Sequence, residues 1–117
     1  MNEFSLIDTY FKWPAEPRGD VIVGIGDDAA CLSVPPDHHL LVSTDTLVEN
    51  VHFLSDWDAY DIAWRAIMVN VSDIAAMAAK PSWISLSLTL PELDTHWLTR
   101  FSQGLHAALQ TYCIALV

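Results

Sequence analysis

Two prolines set the plan of the second half of the chain. Pro81 and Pro91 flank residues 82–90, where Trp83, Ser85, Ser87 and Thr89 alternate with Ile84, Leu86, Leu88 and Leu90. Period-two alternation is the mark of a strand with one buried face. Proline is poorly tolerated inside a helix, so the apolar stretches before Pro81 and after Pro91 are separate elements. The stretch before reads as a helix from an N-cap at Asp58, with Asp61 in its first turn, to about Ala79. The stretch after reads as a helix capped by Asp94 or Thr95. Its core stripe is Trp97, Phe101, Leu105, Ala108, Leu109 and Tyr112. Residues 113–117 begin another apolar strand, and the chain stops within it.

The first half is shorter in period. Phe4, Leu6, Ile7, Tyr10 and Phe11 predict a short amphipathic helix, closed by Pro14, Pro17 and Gly19. Strands are expected at residues 21–23, 29–34 and 39–46, the last rich in β-branched and apolar side chains, with 48–53 read as its continuation. This order of strands, helix, strand, helix and strand predicts an α+β fold: a mixed sheet with helices packed on one face. The ending in mid-strand predicts a piece of a longer protein.

Composition narrows the functional classes. The 117 residues suffice for one domain with a core, and 52% hydrophobic content excludes a disordered chain. No run approaches the ~18–20 apolar residues of a membrane span. The start, Met1-Asn2-Glu3-Phe4-Ser5, lacks the pattern of a secretory signal, so a cytoplasmic location is expected. Cys31 and Cys113 lie far apart in apolar surroundings and read as reduced core residues. The net charge of −10 argues against nucleic acid as a partner. The acidic surplus is either a solvated surface or a set of carboxylates awaiting cations.

Three acidic clusters decide where to look. The first is Gly24-Ile25-Gly26-Asp27-Asp28, whose adjacent carboxylates repel unless a cation or water separates them. An ordinary surface turn explains it as well. The second is Ser43-Thr44-Asp45-Thr46, where strand alternation would put Ser43 and Asp45 on one face. Hydroxyl, carboxylate and carbonyl oxygens suit magnesium, and a capped strand end is the alternative. The third is Asn70-Val71-Ser72-Asp73, inside the long helix and among apolar neighbours. A carboxylate there is expected to be partly buried and to need a partner. Arg65, two turns back, is poorly placed for a local pair. Several carboxylates converging from different elements would make a metal site for phosphate chemistry.

These motifs, taken in order, resemble thiamine-monophosphate kinase. The resemblance is carried by Gly24-Ile25-Gly26-Asp27-Asp28-Ala29-Ala30, Ser43-Thr44-Asp45-Thr46-Leu47-Val48-Glu49, Val51-His52-Phe53 and Val69-Asn70-Val71-Ser72-Asp73-Ile74-Ala75-Ala76-Met77. It implies a superfamily shared with aminoimidazole-ribonucleotide synthetase and selenophosphate synthetase, whose N-terminal domains dimerise through their sheets. Residues 1–117 would then be the N-terminal metal- and ATP-binding and dimerisation domain, lacking the C-terminal domain. The implied reaction is transfer of a phosphoryl group from ATP to thiamine phosphate, giving thiamine diphosphate. The implied magnesium ligands are Asp28, Ser43, Thr44, Asp45 and Asp73. His52 would touch substrate and Tyr112 the nucleotide, and no side chain would act as a covalent catalyst. A non-catalytic, dimerising magnesium-binding module and another ATP-dependent synthetase of the superfamily are the alternatives. Asn50 and Ala78 stand where the family usually has glycine, and a Gly-Gly-Asp-Thr loop expected downstream of the last strand is missing.

Overall fold

A computed structural model describes residues 1–117. The element order is α1 (Glu3–Tyr10), β1 (Val21–Val23), β2 (Cys31–Leu32), α2 (Ala59–Ala76), β3 (Trp83–Ile84), α3 (Thr95–Tyr112) and β4 (Ala115–Leu116). The architecture is α+β, as expected. The single mixed sheet is not formed. Two small ladders take its place. β1 pairs antiparallel with β2, setting Val21 opposite Leu32 and Val23 opposite Cys31. β3 pairs parallel with β4, setting Trp83 opposite Ala115 and Ile84 opposite Leu116. Parallel strands need a crossover, and α3 provides it.

The two long helices start where the sequence says they should. The Asp58 carboxylate accepts from the Tyr60 amide and opens α2, and that of Asp94 accepts from the Trp97 amide and opens α3. Each satisfies an amide that has no partner inside its helix. Arg100 of α3 reaches back to Asp58 with two guanidinium nitrogens at 3.2 and 2.8 Å, so the cap of one helix is tied to the side of the other. This contact and the Tyr60 amide hold the Asp58 carboxyl below its ordinary range.

The core lies between α2 and α3. Ala59, Ile62, Ala63 and Ile67 of α2 meet Phe101, Leu105, Ala108 and Leu109 of α3, with Phe11 and Ile114 closing the two ends. Ile67, Leu98 and Leu105 are fully enclosed. The helix backbones approach most closely at Gly104. A Cβ built there would strike the Tyr60 carbonyl oxygen and lie 2.8 Å from its Cα. Ser102 is the one buried polar side chain of the core. Its hydroxyl donates to the Tyr10 carbonyl and accepts from the Trp13 indole N–H at 3.3 Å, fastening the end of α1 to α3.

Several expected elements are shorter than the pattern implied. Residues 39–46 enter no ladder. The strand expected at 29–34 contracts to Cys31–Leu32, and that at 82–90 to Trp83–Ile84. Alternation specifies a strand only where a neighbour takes up its backbone groups, and neither the β1–β2 nor the β3–β4 ladder takes up residues 39–46. Val42 accordingly remains 82% exposed and Ile22 65%. The cysteines also depart from expectation, both being exposed. Cys31 is the exposed residue of the two-residue strand β2. Cys113 sits at a left-handed turn (φ 56°) that directs Ile114, not Cys113, into the core.

That turn has a counterpart after α2. Ala78 and Ala79 donate back to Ala75 and Ile74, the paired bonds of a helix-ending turn whose central residue is left-handed. The central residue is Ala78, at φ 56°. Asn50 is likewise left-handed at φ 63°. Asparagine tolerates that region and alanine does not. Ala78 therefore adds more than a methyl group: it places a Cβ where the backbone disfavours one.

Two consequences can be measured by urea denaturation. Gly104→Ala should destabilise the chain by about 3 kcal/mol, the upper end for an overpacked core, because the clash is with backbone. Ala78→Gly should stabilise it by about 1 kcal/mol, the cost of a left-handed L-residue.

Candidate metal and phosphate site

The outward face of α2 carries the site. Arg65, Met68, Val69, Ser72 and Asp73 recur at spacings of three and four, so they form one stripe along the helix. The opposite stripe, Ile62, Ala63 and Ile67, is in the core. Asp73 is therefore exposed. The apolar neighbours that suggested burial belong largely to other faces of the same helix.

Asp45 comes to Asp73 from the chain segment ahead of α2. Together with Trp57 and the α2 stripe, they line a pocket of about 550 Å³. Asp45 holds the Asp73 carboxyl above the ordinary carboxylate range. The first cause is the hydrogen bond the two side chains share when one is protonated, and the second is repulsion between like charges. Two carboxylates so placed favour a shared proton, or a cation between them, over two bare charges.

The other expected ligands are not gathered in this pocket. Ser43 and Thr44 line a neighbouring groove of about 770 Å³, together with Asn70 and Trp83. Strand alternation would have put Ser43 with Asp45; without a ladder to impose it, Ser43 and Thr44 share the groove. Asp28 is exposed in its loop, where the Asp27 carboxylate accepts from the Asp28 amide at 2.8 Å and Gly26 supplies a φ of 118°. No group of three or more His, Cys, Asp or Glu side chains is disposed to hold a metal. A pair is nonetheless sufficient for magnesium, which is commonly held by one or two carboxylates and shares the rest of its shell with water and substrate phosphates.

His52 stands in a tight turn with Asn50. Its Nδ1 accepts from the Val48 amide at 2.8 Å, which places the proton of the neutral ring on the outward Nε2. Tyr112 ends α3. Its hydroxyl donates to the Met68 sulfur at 2.9 Å and its ring meets Trp64 edge-on at 6.5 Å. Met68 also lines the carboxylate pocket, so Tyr112 is one side chain removed from it.

Trp57 and Arg65 were not singled out as site residues from the sequence. For Arg65 the signal was present in its helical spacing to Asp73; Trp57, ahead of the Asp58 cap, carried none. The Arg65 signal became usable only once the inward stripe of α2 was known.

Comparison with known proteins then assigns the family. Residues 26–117 match the family described as AIR synthase related protein, N-terminal domain. The chain belongs to that family. It is 51% identical to a thiamine-monophosphate kinase from Salmonella typhimurium, over 98% of this chain and 35% of that protein. It is 50% identical to the thiamine-monophosphate kinase of Escherichia coli over the same shares. A crystal structure of thiamine-monophosphate kinase from Stenotrophomonas maltophilia K279a superposes with a TM-score of 0.79 at 44% identity, covering 86% of this chain and 32% of that one. The chain thus spans about a third of the length of these relatives. No helix is long and apolar enough to cross a membrane.

The carboxylate pair gives a direct test of cation binding. Without divalent cation, Asp45→Asn should raise the thermal unfolding midpoint, because it removes the repulsion at Asp73. Adding magnesium should raise the midpoint of the unsubstituted chain and leave that of Asp45→Asn nearly unchanged.

Proposed function

We propose that this chain is the metal- and nucleotide-binding part of a kinase that transfers a phosphoryl group from ATP to thiamine phosphate, giving thiamine diphosphate and ADP. The observation that carries the reading is the facing pair Asp45 and Asp73, in a pocket open to solvent on the outer face of α2. The relatives' names supply the substrate. Residues 1–117 act as one N-terminal domain, with the second domain supplied by the remaining length that the relatives possess.

Asp45 and Asp73 are the residues that would hold magnesium. Ser43 and Thr44, next to Asp45 in the chain, and Asp28, from the loop after β1, are the further oxygen donors that would be available to it. Bound there, magnesium would offset phosphate charge as it develops during transfer. The rest of the work is positioning. His52 presents Nε2–H outward as a donor to the substrate, its ring fixed by the Val48 amide. Tyr112 steadies Met68, and through it the wall against which the nucleotide lies. Transfer proceeds in line from ATP to the acceptor phosphate, so no serine or cysteine need act as a nucleophile.

The exposed apolar side chains of residues 40–51, Val42 and Val51 foremost, support pairing of two chains through this segment as a homodimer. The same observation favours the second reading, a dimerising magnesium-binding module that has no turnover of its own. A cytoplasmic location fits the reaction proposed.

The test is steady-state turnover of thiamine phosphate with ATP and magnesium by the protein that carries this region together with the remaining length seen in the relatives. Asp73→Asn should lower kcat by about a hundredfold or more, the scale on which loss of one electrostatic group at a reacting centre is felt. Equal turnover by the two proteins would exclude the pair from the site. Turnover by residues 1–117 alone would exclude the module reading.

A further inference from the structure

Cations are scarce in this chain, and one of them is left free in the pocket of Asp45 and Asp73. There are five Lys and Arg against fifteen Asp and Glu. Lys12 is held by Asp8 at 2.6 Å, Arg18 by Asp20 at 2.7 Å and Arg100 by Asp58 at 2.8 Å. Arg65 has no such partner, although it lines the same pocket as two aspartates. It lies eight residues before Asp73 on the same stripe of α2, roughly 12 Å along the helix axis at 1.5 Å per residue. That spacing is too long for a direct pair and suits an extended ligand lying between them. The guanidinium sits over the Trp57 ring, 5.8 Å from its centroid. A contact with the face of a ring holds the planar group in place without occupying its N–H donors.

We infer that Arg65 is an anion-positioning residue, which grips the non-bridging oxygens of a phosphate chain whose other end meets the cation held by Asp45 and Asp73. The inference rests on the carboxylate-pair reading given above. A polyphosphate bound only by carboxylates and a single divalent ion would face a strongly acidic surface. Arg65 is the one Lys or Arg among the residues lining this pocket, and so the one side chain there able to offset the remaining charge. A guanidinium suits the task better than an ammonium, because its fork can meet two phosphate oxygens at once. Trp57 would act by setting the plane of that fork.

The experiment is calorimetric titration of inorganic pyrophosphate into the 117-residue chain with magnesium present, and of magnesium alone in parallel. Arg65→Gln should bind pyrophosphate about tenfold more weakly, the size of one charge-assisted hydrogen bond, and bind magnesium as before. Arg65→Lys should recover part of the loss, keeping the charge without the fork. Four results would overturn the proposal: no pyrophosphate binding by the unsubstituted chain, equal pyrophosphate affinity in Arg65→Gln, loss of magnesium binding in that variant, or no recovery in Arg65→Lys. Magnesium failing to bind the unsubstituted chain removes the carboxylate-pair reading and this proposal with it. Magnesium binding with pyrophosphate indifferent to Arg65 removes the proposal alone.

Discussion

The rest of the structure depends on how closely α2 and α3 approach. Gly104 lies against the Tyr60 backbone, with no room for a Cβ. That contact is at the N-terminal end of α2, next to its Asp58 cap and the Arg100 clasp. Burial of Ile62, Ala63 and Ile67 against Phe101, Leu105 and Leu109 follows from it. Apolar burial is worth about 25 cal/mol per Å², so a wider separation would forfeit much of what stabilises so small a core. Only 13 of the 117 residues are buried, and most of those belong to this one interface.

The same packing fixes the rotation of α2 about its own axis. With Ala63 and Ile67 pointing inward, Arg65, Ser72 and Asp73 must point out. The pocket is therefore a consequence of the core. A helix has 3.6 residues per turn, so turning α2 by one residue would move its polar stripe by about 100°. Asp73 would then leave Asp45, and the hydrogen bond and repulsion that raise its affinity for a proton would disappear. Tyr112 and Trp64 add a second lock near the far end of α3, where the tyrosine hydroxyl meets Met68.

What could be read from the residues was whatever depends on local period and local capping. The starts of α2 and α3 were legible because Asp58 and Asp94 act within a few residues of themselves, whereas α2 ends at Ala76, short of the expected Ala79, in the left-handed turn at Ala78. The clustering of Asp45 with Asp73 was legible only as two separate oddities, a carboxylate after a β-branched run and another within an apolar helix. Burial of Asp73 was misjudged because neighbours in sequence on a helix are not neighbours in space. The strand at residues 39–46 was misjudged for the complementary reason: its side chains have strand character, and the partner that would make it a strand is a long-range matter no local pattern encodes. The exposure of Cys113 depended on a left-handed turn that nothing about cysteine announces.

Charge gives the last step. A chain of net charge −10 gains nothing in folding from placing two more carboxylates face to face, since repulsion between them works against the compact state. The molecule has cations to spend on carboxylates, and spends three of the five on Asp8, Asp20 and Asp58, all away from the pocket. Asp45 and Asp73 are left uncompensated, with Arg65 nearby and unpaired. Keeping the two negative groups and the one positive group apart makes sense where a ligand carries both signs, as a phosphate chain with its divalent cation does. The proposed ligand, a phosphate chain with its cation, would account for this separation of charges on the outer face of α2.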